Sequence, residues 1–275
     1  MKIDSHMHTI LCGHAAGNPC QYVESAASQG LERITFTCHI PLEPAEDFGG
    51  SGIRMKKSEL GKYRSMVEEA AHRGRELGVD VLYGVEAEVF PDPKIMAKVR
   101  KIIESEPFDF VLGSLHHQMP GYHDWLEEHG YYEDPDIIAA YFRHLGEGVR
   151  SGLYDSIAHP DVIRIYGTVA PFDPRKYQIE IEEFLNALAE KDHCMEVNTS
   201  GLIKGVYEVH PAPIILEWAR ERDIRLTMGS DAHQPEQVGQ YFGPVCELLL
   251  SLGYEKIHYF RQRERIEVSL AGMVL

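Results

Sequence analysis

Histidines and acids recur in this chain at the ends of short apolar runs. Asp4-Ser5-His6-Met7-His8 stands near the start and Gly229-Ser230-Asp231-Ala232-His233 near the other end, with His14, His39, Glu86, His116 and His159 at or just past apolar runs between them. Imidazole and carboxylate are the ligands that divalent metals take, so these residue types point to metal-ion chemistry. Residues i and i+2 of a strand face the same way, so both imidazoles of His6-x-His8 can bind one ion, and Asp231-x-His233 repeats the spacing. Either motif alone is a weak signal; two of them at strand ends are a stronger one. His39 closes the run Ile34-Thr35-Phe36-Thr37, and Glu86 follows Tyr83-Gly84-Val85. A carboxylate can bridge two cations and a neutral imidazole cannot. Glu88 faces the same way as Glu86, and spacing leaves the choice between them open. Of the adjacent His116 and His117, alternation directs one toward a site. His159-Pro160-Asp161 closes the run Ser156–Ala158. His72, His129, His144, His193 and His258 lack such placement and are read as structural or solvent-facing.

The elements that must position these groups alternate along the chain. Short apolar runs at Lys2–Ile3, Arg33–Thr37, Val79–Gly84, Phe108–Leu112, Ser156–Ala158, Cys194–Val197, Arg225–Met228 and Lys256–Phe260 read as buried strands. Ser58 is placed to cap a helix running to about Leu77, with Leu60, Tyr63, Val67, Ala70 and Ala71 on one stripe and Gly78 as its stop. Pro135 marks the first turn of another helix, carrying Ile137, Ile138, Tyr141, Phe142 and Leu145. Further helices read at Gln21–Gln29, Lys94–Glu104, Gln178–Lys191, Ala212–Glu221 and Pro244–Leu252. Such alternation predicts an α/β fold with a parallel sheet. A closed barrel is favoured over an open sheet, because it gathers the C-terminal strand ends, where the candidate ligands fall, around one mouth.

Composition narrows the function classes. The 275 residues are 44% apolar and 25% charged, with a net charge of −16. No Lys/Arg run suggests nucleic acid, and no stretch approaches the ~18 apolar residues of a membrane span. An anionic substrate stays possible, since bound cations reverse the local sign. The five cysteines, Cys12, Cys20, Cys38, Cys194 and Cys246, are irregularly spaced with no CxxC, which reads as reduced thiols in a cytoplasmic protein. Cys12 and Cys38 stand close to proposed ligands and are read as space-fillers ahead of ligands.

In order and wording, eight segments together resemble the polymerase-and-histidinol-phosphatase (PHP) superfamily, most closely its histidinol-phosphatase branch. They are Asp4–His8, Leu11-Cys12-Gly13-His14-Ala15, Phe36-Thr37-Cys38-His39, Gly84-Val85-Glu86, Gly113-Ser114-Leu115-His116, Ala158-His159-Pro160-Asp161, Val197-Asn198-Thr199-Ser200-Gly201-Leu202 and Gly229–His233. The resemblance runs from Lys2 to about Phe260, so one PHP-type barrel domain is expected over 1–275. It implies a distorted (β/α)7 TIM-like barrel with a trinuclear metal centre at the C-terminal end of the strands. One ion would take His6, His8, Glu86 and Asp231; a second would share Glu86 and take His116 and His159; a third would take His14, His39 and His233. Asp4 is expected behind the ligands, orienting one imidazole. Three divalent ions (Fe, Zn or Mn) suit this donor set.

The activity implied is hydrolysis of a phosphomonoester, L-histidinol phosphate, by a metal-bridging hydroxide, the ions also stabilising charge on the phosphoryl oxygens. Asp161 and then His117 are the candidates for protonating the leaving group. Asn198, Lys204, Arg164 and Trp125 are candidate substrate contacts. Two positions depart from the family pattern: Ile203 stands where an arginine is usual, and Cys38 where an aspartate precedes the ligand histidine. The lost arginine keeps another small phosphate, a nucleotide or sugar phosphate, as an alternative substrate. A non-catalytic metal-binding module is the reading from another class, and the nine filled ligand positions count against it. The partner expected is a small phosphorylated metabolite, with neither nucleic acid nor membrane; the sequence leaves the oligomeric state open.

Overall fold

A computed structural model describes residues 1–43, 53–165 and 172–274. Seven strands stand side by side in chain order, each parallel to the next: β1 (Ile3–Met7), β2 (Arg33–Phe36), β3 (Asp80–Glu88), β4 (Phe110–Ser114), β5 (Ser156–Ile157), β6 (Cys194–Asn198) and β7 (Arg225–Gly229). Apart from their first residues they are buried, as the unbroken apolar runs require of strands covered on both sides. The ring closes at its C-terminal rim, where Met7 bridges to Ala232 and the His8 N–H donates to the Ala232 carbonyl at 2.9 Å. The fold is the distorted seven-stranded TIM-like barrel that the alternation and the resemblance predict.

The surrounding helices are α1 (Pro19–Ser28), α2 (Leu60–Leu77), α3 (Pro93–Ser105), α4 (Pro120–Glu128), α5 (Asp134–Arg150), α6 (Gln178–Glu190), α7 (Pro213–Glu221) and α8 (Phe242–Ser251). None of the described helices is long and apolar enough to cross a membrane. Helix starts shift from expectation in several places; α8 begins at Phe242, two residues before the expected Pro244. Ser58 lies inside a 3-10 turn, Lys57–Glu59, and the Glu59 carboxylate accepts from the Lys56 N–H at 2.9 Å, so the turn and not Ser58 leads into α2. Near α1, the Asn18 and Gln21 side chains form a reciprocal cap, which puts the helix start two residues earlier than the apolar stripe suggests. α4 gives little periodic signal and is an addition.

After α8 the chain forms an antiparallel hairpin, β8 (Lys256–Arg261) and β9 (Glu264–Ser269), where the sequence suggested one strand. The hairpin closes the end of the barrel away from the ligands. Phe260 stacks on Phe110 with ring centroids 5.3 Å apart, in a small apolar cluster with Leu112, Ala158 and Cys194. Around it, aspartates at the N-terminal ends of four strands meet hairpin groups. Arg261 pairs with Asp80, Arg263 Nε donates to Asp155 at 2.6 Å, and Arg265 donates to the Asp192 carboxylate at 2.6 Å. The Gln262 N–H donates to the Asp109 carboxylate at 3.0 Å.

Candidate metal centre

All nine residues expected as ligands converge at the C-terminal rim. His6 and His8, on and just past the end of β1, bring their Nε2 atoms within 3.1 Å of each other, as same-face residues two apart on a strand should. Asp231, in the turn after β7, places Oδ1 3.1 Å from His8 Nε2 and 3.6 Å from His6 Nε2. Glu86 lies on β3, and its two oxygens face different partners. Oε1 lies 3.0 Å from His159 and 3.5 Å from His116; Oε2 lies 2.8 Å from His39 Nδ1, 3.6 Å from His8 and 3.7 Å from His6. His14, His39 and His233 complete the rim, with ring centroids 4.5 Å (His14–His233) and 5.8 Å (His14–His39) apart.

Close approach here depends on backbone as well as side chain. A Cβ on Gly229 would stand 2.3 Å from the His6 Cβ and 2.6 Å from a Glu196 carboxylate oxygen, so only glycine lets β7 lie against β1 at this level. Asp231 (φ 54) and His159 (φ 23) hold left-handed backbone that costs a non-glycine residue ~1 kcal/mol or more.

A layer behind fixes the imidazoles. His6 Nδ1 donates to Glu196 at 2.7 Å, His116 Nδ1 to Glu88 at 3.1 Å, His14 Nδ1 to the Cys12 carbonyl at 3.0 Å and His233 Nδ1 to the Asp231 carbonyl at 2.9 Å. Each bond leaves the other ring nitrogen directed inward as an acceptor. Glu88 is itself held by Arg54 at 2.8 Å, which resolves the choice between the two glutamates: Glu86 faces the cluster and Glu88 supports it. Asp4 accepts from the backbone N–H groups of Ser230 and Gly239, both at 2.9 Å, and ties the β7 turn to β1 without touching an imidazole side chain. Glu196 is the member that the sequence reading missed. An acid inside the buried run Cys194–Asn198 was its signal, because a buried carboxylate demands a partner.

The donor set fits divalent cations. Glu86 Oε2 and His39 Nδ1 face each other without hydrogen-bond geometry, and His233 Nε2 is likewise buried with no hydrogen-bond partner. Buried atoms of this kind are satisfied in native proteins, and a cation is what two unpaired imidazole nitrogens and a carboxylate oxygen share. Three trios, His6–His8–Asp231, His6–Glu86–His159 and His8–His39–His233, each bring one ligand atom per residue within 4.8 Å of the others. Burial opposes ionisation of Glu86, yet His39 and His116 beside it hold its carboxyl well below the usual range. Burial pushes His233 down to about 3, with His8 adding to the effect. Burial also acts against a charge on His8, but Asp231 and Cys38 outweigh it and raise the group to about 9.

The cluster floors a cavity of roughly 80 Å³ whose wall includes Ile53, Gln118, Val162 and Lys204. A larger hollow of about 440 Å³ lies outside the barrel between α3 and α5 and is lined by none of the nine. Lys204 lines this cavity, and its Nζ donates to Ser200 Oγ at 2.9 Å and to Asp231 Oδ2 at 3.2 Å. Other expected residues are placed elsewhere. Asp161 is fully buried and accepts from His210 Nδ1 at 2.5 Å and from the Ala212 N–H at 2.8 Å, with Arg164 Nε at 2.7 Å. Burial would raise its pKa, but Arg164 and His210 hold it below the usual range, so it has no proton to give and no face on the cavity. Arg164 is occupied by Asp161, by Glu208 at 2.8 Å and by the Val209 carbonyl. His117 turns away, its ring 4.6 Å from that of His123. Asn198 caps the turn after β6, accepting from Ser200 and donating to Glu196. Trp125 stacks on His129 at 3.9 Å and beside Tyr131, a packing contact on α4.

The model of the PHP domain matches residues 4–200, and that of a PHP-associated segment matches 214–242. A probable histidinol-phosphatase of Deinococcus radiodurans is 34% identical over 266 residues, covering 95% of this chain and 97% of that protein. A probable histidinol-phosphatase of Schizosaccharomyces pombe is 26% identical, with 87% and 83% covered. Among solved structures, histidinol phosphate phosphatase of Lactococcus lactis, complexed with zinc, L-histidinol and phosphate, superposes with a TM-score of 0.79 at 20% identity, over 96% of this chain and 98% of the other.

Proposed function

The chain belongs to the PHP domain family, in its histidinol-phosphatase branch, and from that premise we propose that it is a metal-dependent phosphomonoesterase that hydrolyses L-histidinol phosphate to L-histidinol and phosphate. The observation that carries the reading is the divided carboxylate of Glu86, one oxygen on His116 and His159 and the other on His39, His8 and His6. That arrangement supports one ion held by His6, His8, Glu86 and Asp231, a second by Glu86, His116 and His159, and a third by His14, His39 and His233. Fe, Zn and Mn all suit these donors. Bound there, such ions supply positive charge for the phosphoryl oxygens and acidify water toward neutral pH.

The chain's own residues do the rest. Glu196, Glu88 and the carbonyls of Cys12 and Asp231 set the imidazole tautomers, so the acceptor nitrogens converge before substrate arrives. Lys204 holds an ammonium at the cavity wall, against a ligand carboxylate, where a phosphoryl group entering the cavity meets it. We assign Lys204 to the phosphate contact that Ile203 cannot make; Ile203 is 45% exposed and carries no charge. Gln118, with both an amide donor and an acceptor on the cavity wall, is a further substrate contact. We treat 1–275 as one barrel unit, working in the cytoplasm, where its free thiols stay reduced.

The uncharged residue at 203 also favours a second reading, a PHP phosphoesterase for another small phosphate. One experiment separates them: kcat/KM for L-histidinol phosphate against a panel of nucleoside and sugar phosphates. Histidinol phosphate is expected to lead by at least about tenfold, a difference of ~1.4 kcal/mol in transition-state binding. A nucleotide or sugar phosphate in first place moves the assignment to the second reading.

A further inference from the structure

Behind the nitrogen and oxygen ligands lies a softer group of side chains. Cys12, in the turn after β1, and Cys38, just past β2, are both fully buried and form no disulfide. Their sulfurs and a ring nitrogen of His8 lie within 4.8 Å of one another. His8 directs Nε2 to His6 and Asp231, so Nδ1 is the nitrogen on the sulfur side, and Nδ1 is buried with no hydrogen-bond partner. Cys38 Sγ lies 3.3 Å from the Thr9 hydroxyl and 3.8 Å from the Thr9 carbonyl. Cys12 also comes within 4.8 Å of ligand atoms of His14 and His233, and exposed His14 lines the cavity, which gives a route inward.

We propose that Cys12, Cys38 and His8 form a site for one thiophilic cation, of the class of Cd²⁺, Zn²⁺ or Cu⁺, directly behind the cluster of harder ligands. Two thiolates and an imidazole are the donor set such ions prefer. Each thiol, and Nδ1 of His8, gives up its proton as its bond to the cation forms, the protons passing to solvent. A neutral imidazole has one free lone pair, so His8 serves a cation on the sulfur side or one on the carboxylate side, not both. Occupancy of the sulfur side therefore withdraws His8 from the main centre. On the phosphatase reading above, hydrolysis falls with it.

The test is cadmium titration of the purified full chain, followed by the ultraviolet charge-transfer band of thiolate–cadmium bonds. The band is expected to level off at the intensity of one doubly thiolate-bound cadmium per chain, to be lost in Cys12→Ser and in Cys38→Ser, and to persist in Cys20→Ser. Cadmium-edge X-ray absorption on the unsubstituted protein reads the same site without depending on how a variant folds, and two sulfur scatterers are expected. No band in the unsubstituted protein, a band that survives both the Cys12 and Cys38 substitutions, or a shell of nitrogen and oxygen alone overturns the site. None of these readouts measures hydrolysis, so the outcome stands whether or not the chain cleaves histidinol phosphate.

Discussion

At the hairpin end of the barrel, Asp80, Asp109, Asp155 and Asp192 meet Arg261, the Gln262 N–H, Arg263 and Arg265, and the carboxylates there find guanidinium or backbone partners. At the opposite rim Glu86 and Asp231 face imidazoles, and several nitrogens and oxygens, buried more deeply than most of the partly exposed hairpin pairs, lack hydrogen bonds. Both ends bring acids and bases together, but only one completes them. The difference separates charge that holds a fold closed from charge kept for a guest. Paired internally, a buried charge contributes specificity and modest stability; kept unpaired, it costs stability that a bound ion returns.

Substitutions at the two ends should therefore fail in different ways. The largest effect is expected for Asp231→Asn, which removes a charged ligand facing both His6 and His8: hydrolysis of a chromogenic phosphate should fall at least roughly 100-fold, and metal content with it, while the folded signal by circular dichroism stays. Retained activity would erase the distinction drawn between the ends. Next comes Glu196→Gln, one shell back from the ligands. It keeps the shape but loses the charge that holds His6, and metal affinity should drop about 10-fold or more, read by chelator competition. Arg263→Ala, at the hairpin end, leaves Asp155 buried with one partner fewer. The expected cost is about 2 kcal/mol in chemical denaturation, with kcat unchanged. A loss of kcat at equal stability would show that the hairpin end also serves the chemistry.

The smallest effect, read between pH 6.5 and 5, belongs to neither end. His144 on α5 is buried against Tyr122 at 2.9 Å, and burial lowers it to about 3. Below its unfolded value near 6.5 the unfolded chain takes up a proton that the folded chain refuses. Stability should then decline as pH falls from 6.5 toward 3, approaching about 1.4 kcal/mol per pH unit for this group. His144→Gln should flatten that slope in denaturation curves taken at pH 6.5 and 5.

The sequence carries the rim well because a strand's two-residue period and a barrel's geometry are both local rules. His6 with His8, and the C-terminal strand ends generally, follow from them. It carries less where a side chain's direction is set by distant partners. Asp161 stands next to a ligand in sequence, yet His210 and Arg164 turn it outward from the cavity. Trp125 reads as a ligand platform until His129, four residues on and just past the end of α4, takes its face. Glu196 hides because a buried acid in an apolar run looks like an interruption, and its partner is 190 residues away. In the hairpin, Arg261 ends β8, Arg263 lies in the turn and Arg265 pairs with Phe260 on β9, so their regular spacing in sequence is not the alternation of one strand.

The bridge between Met7 and Ala232 has a consequence for how the chain comes into being. Seven of the nine proposed ligand residues precede residue 200, but Asp231 and His233 come last and arrive with the segment that completes the ring. During synthesis, the first histidines wait with an open strand edge until more than 230 residues have left the ribosome. On the proposed ligand set, loading of ions is thereby tied to completion of the barrel, and a polypeptide interrupted before β7 carries most of the proposed ligands without the two that close the rim.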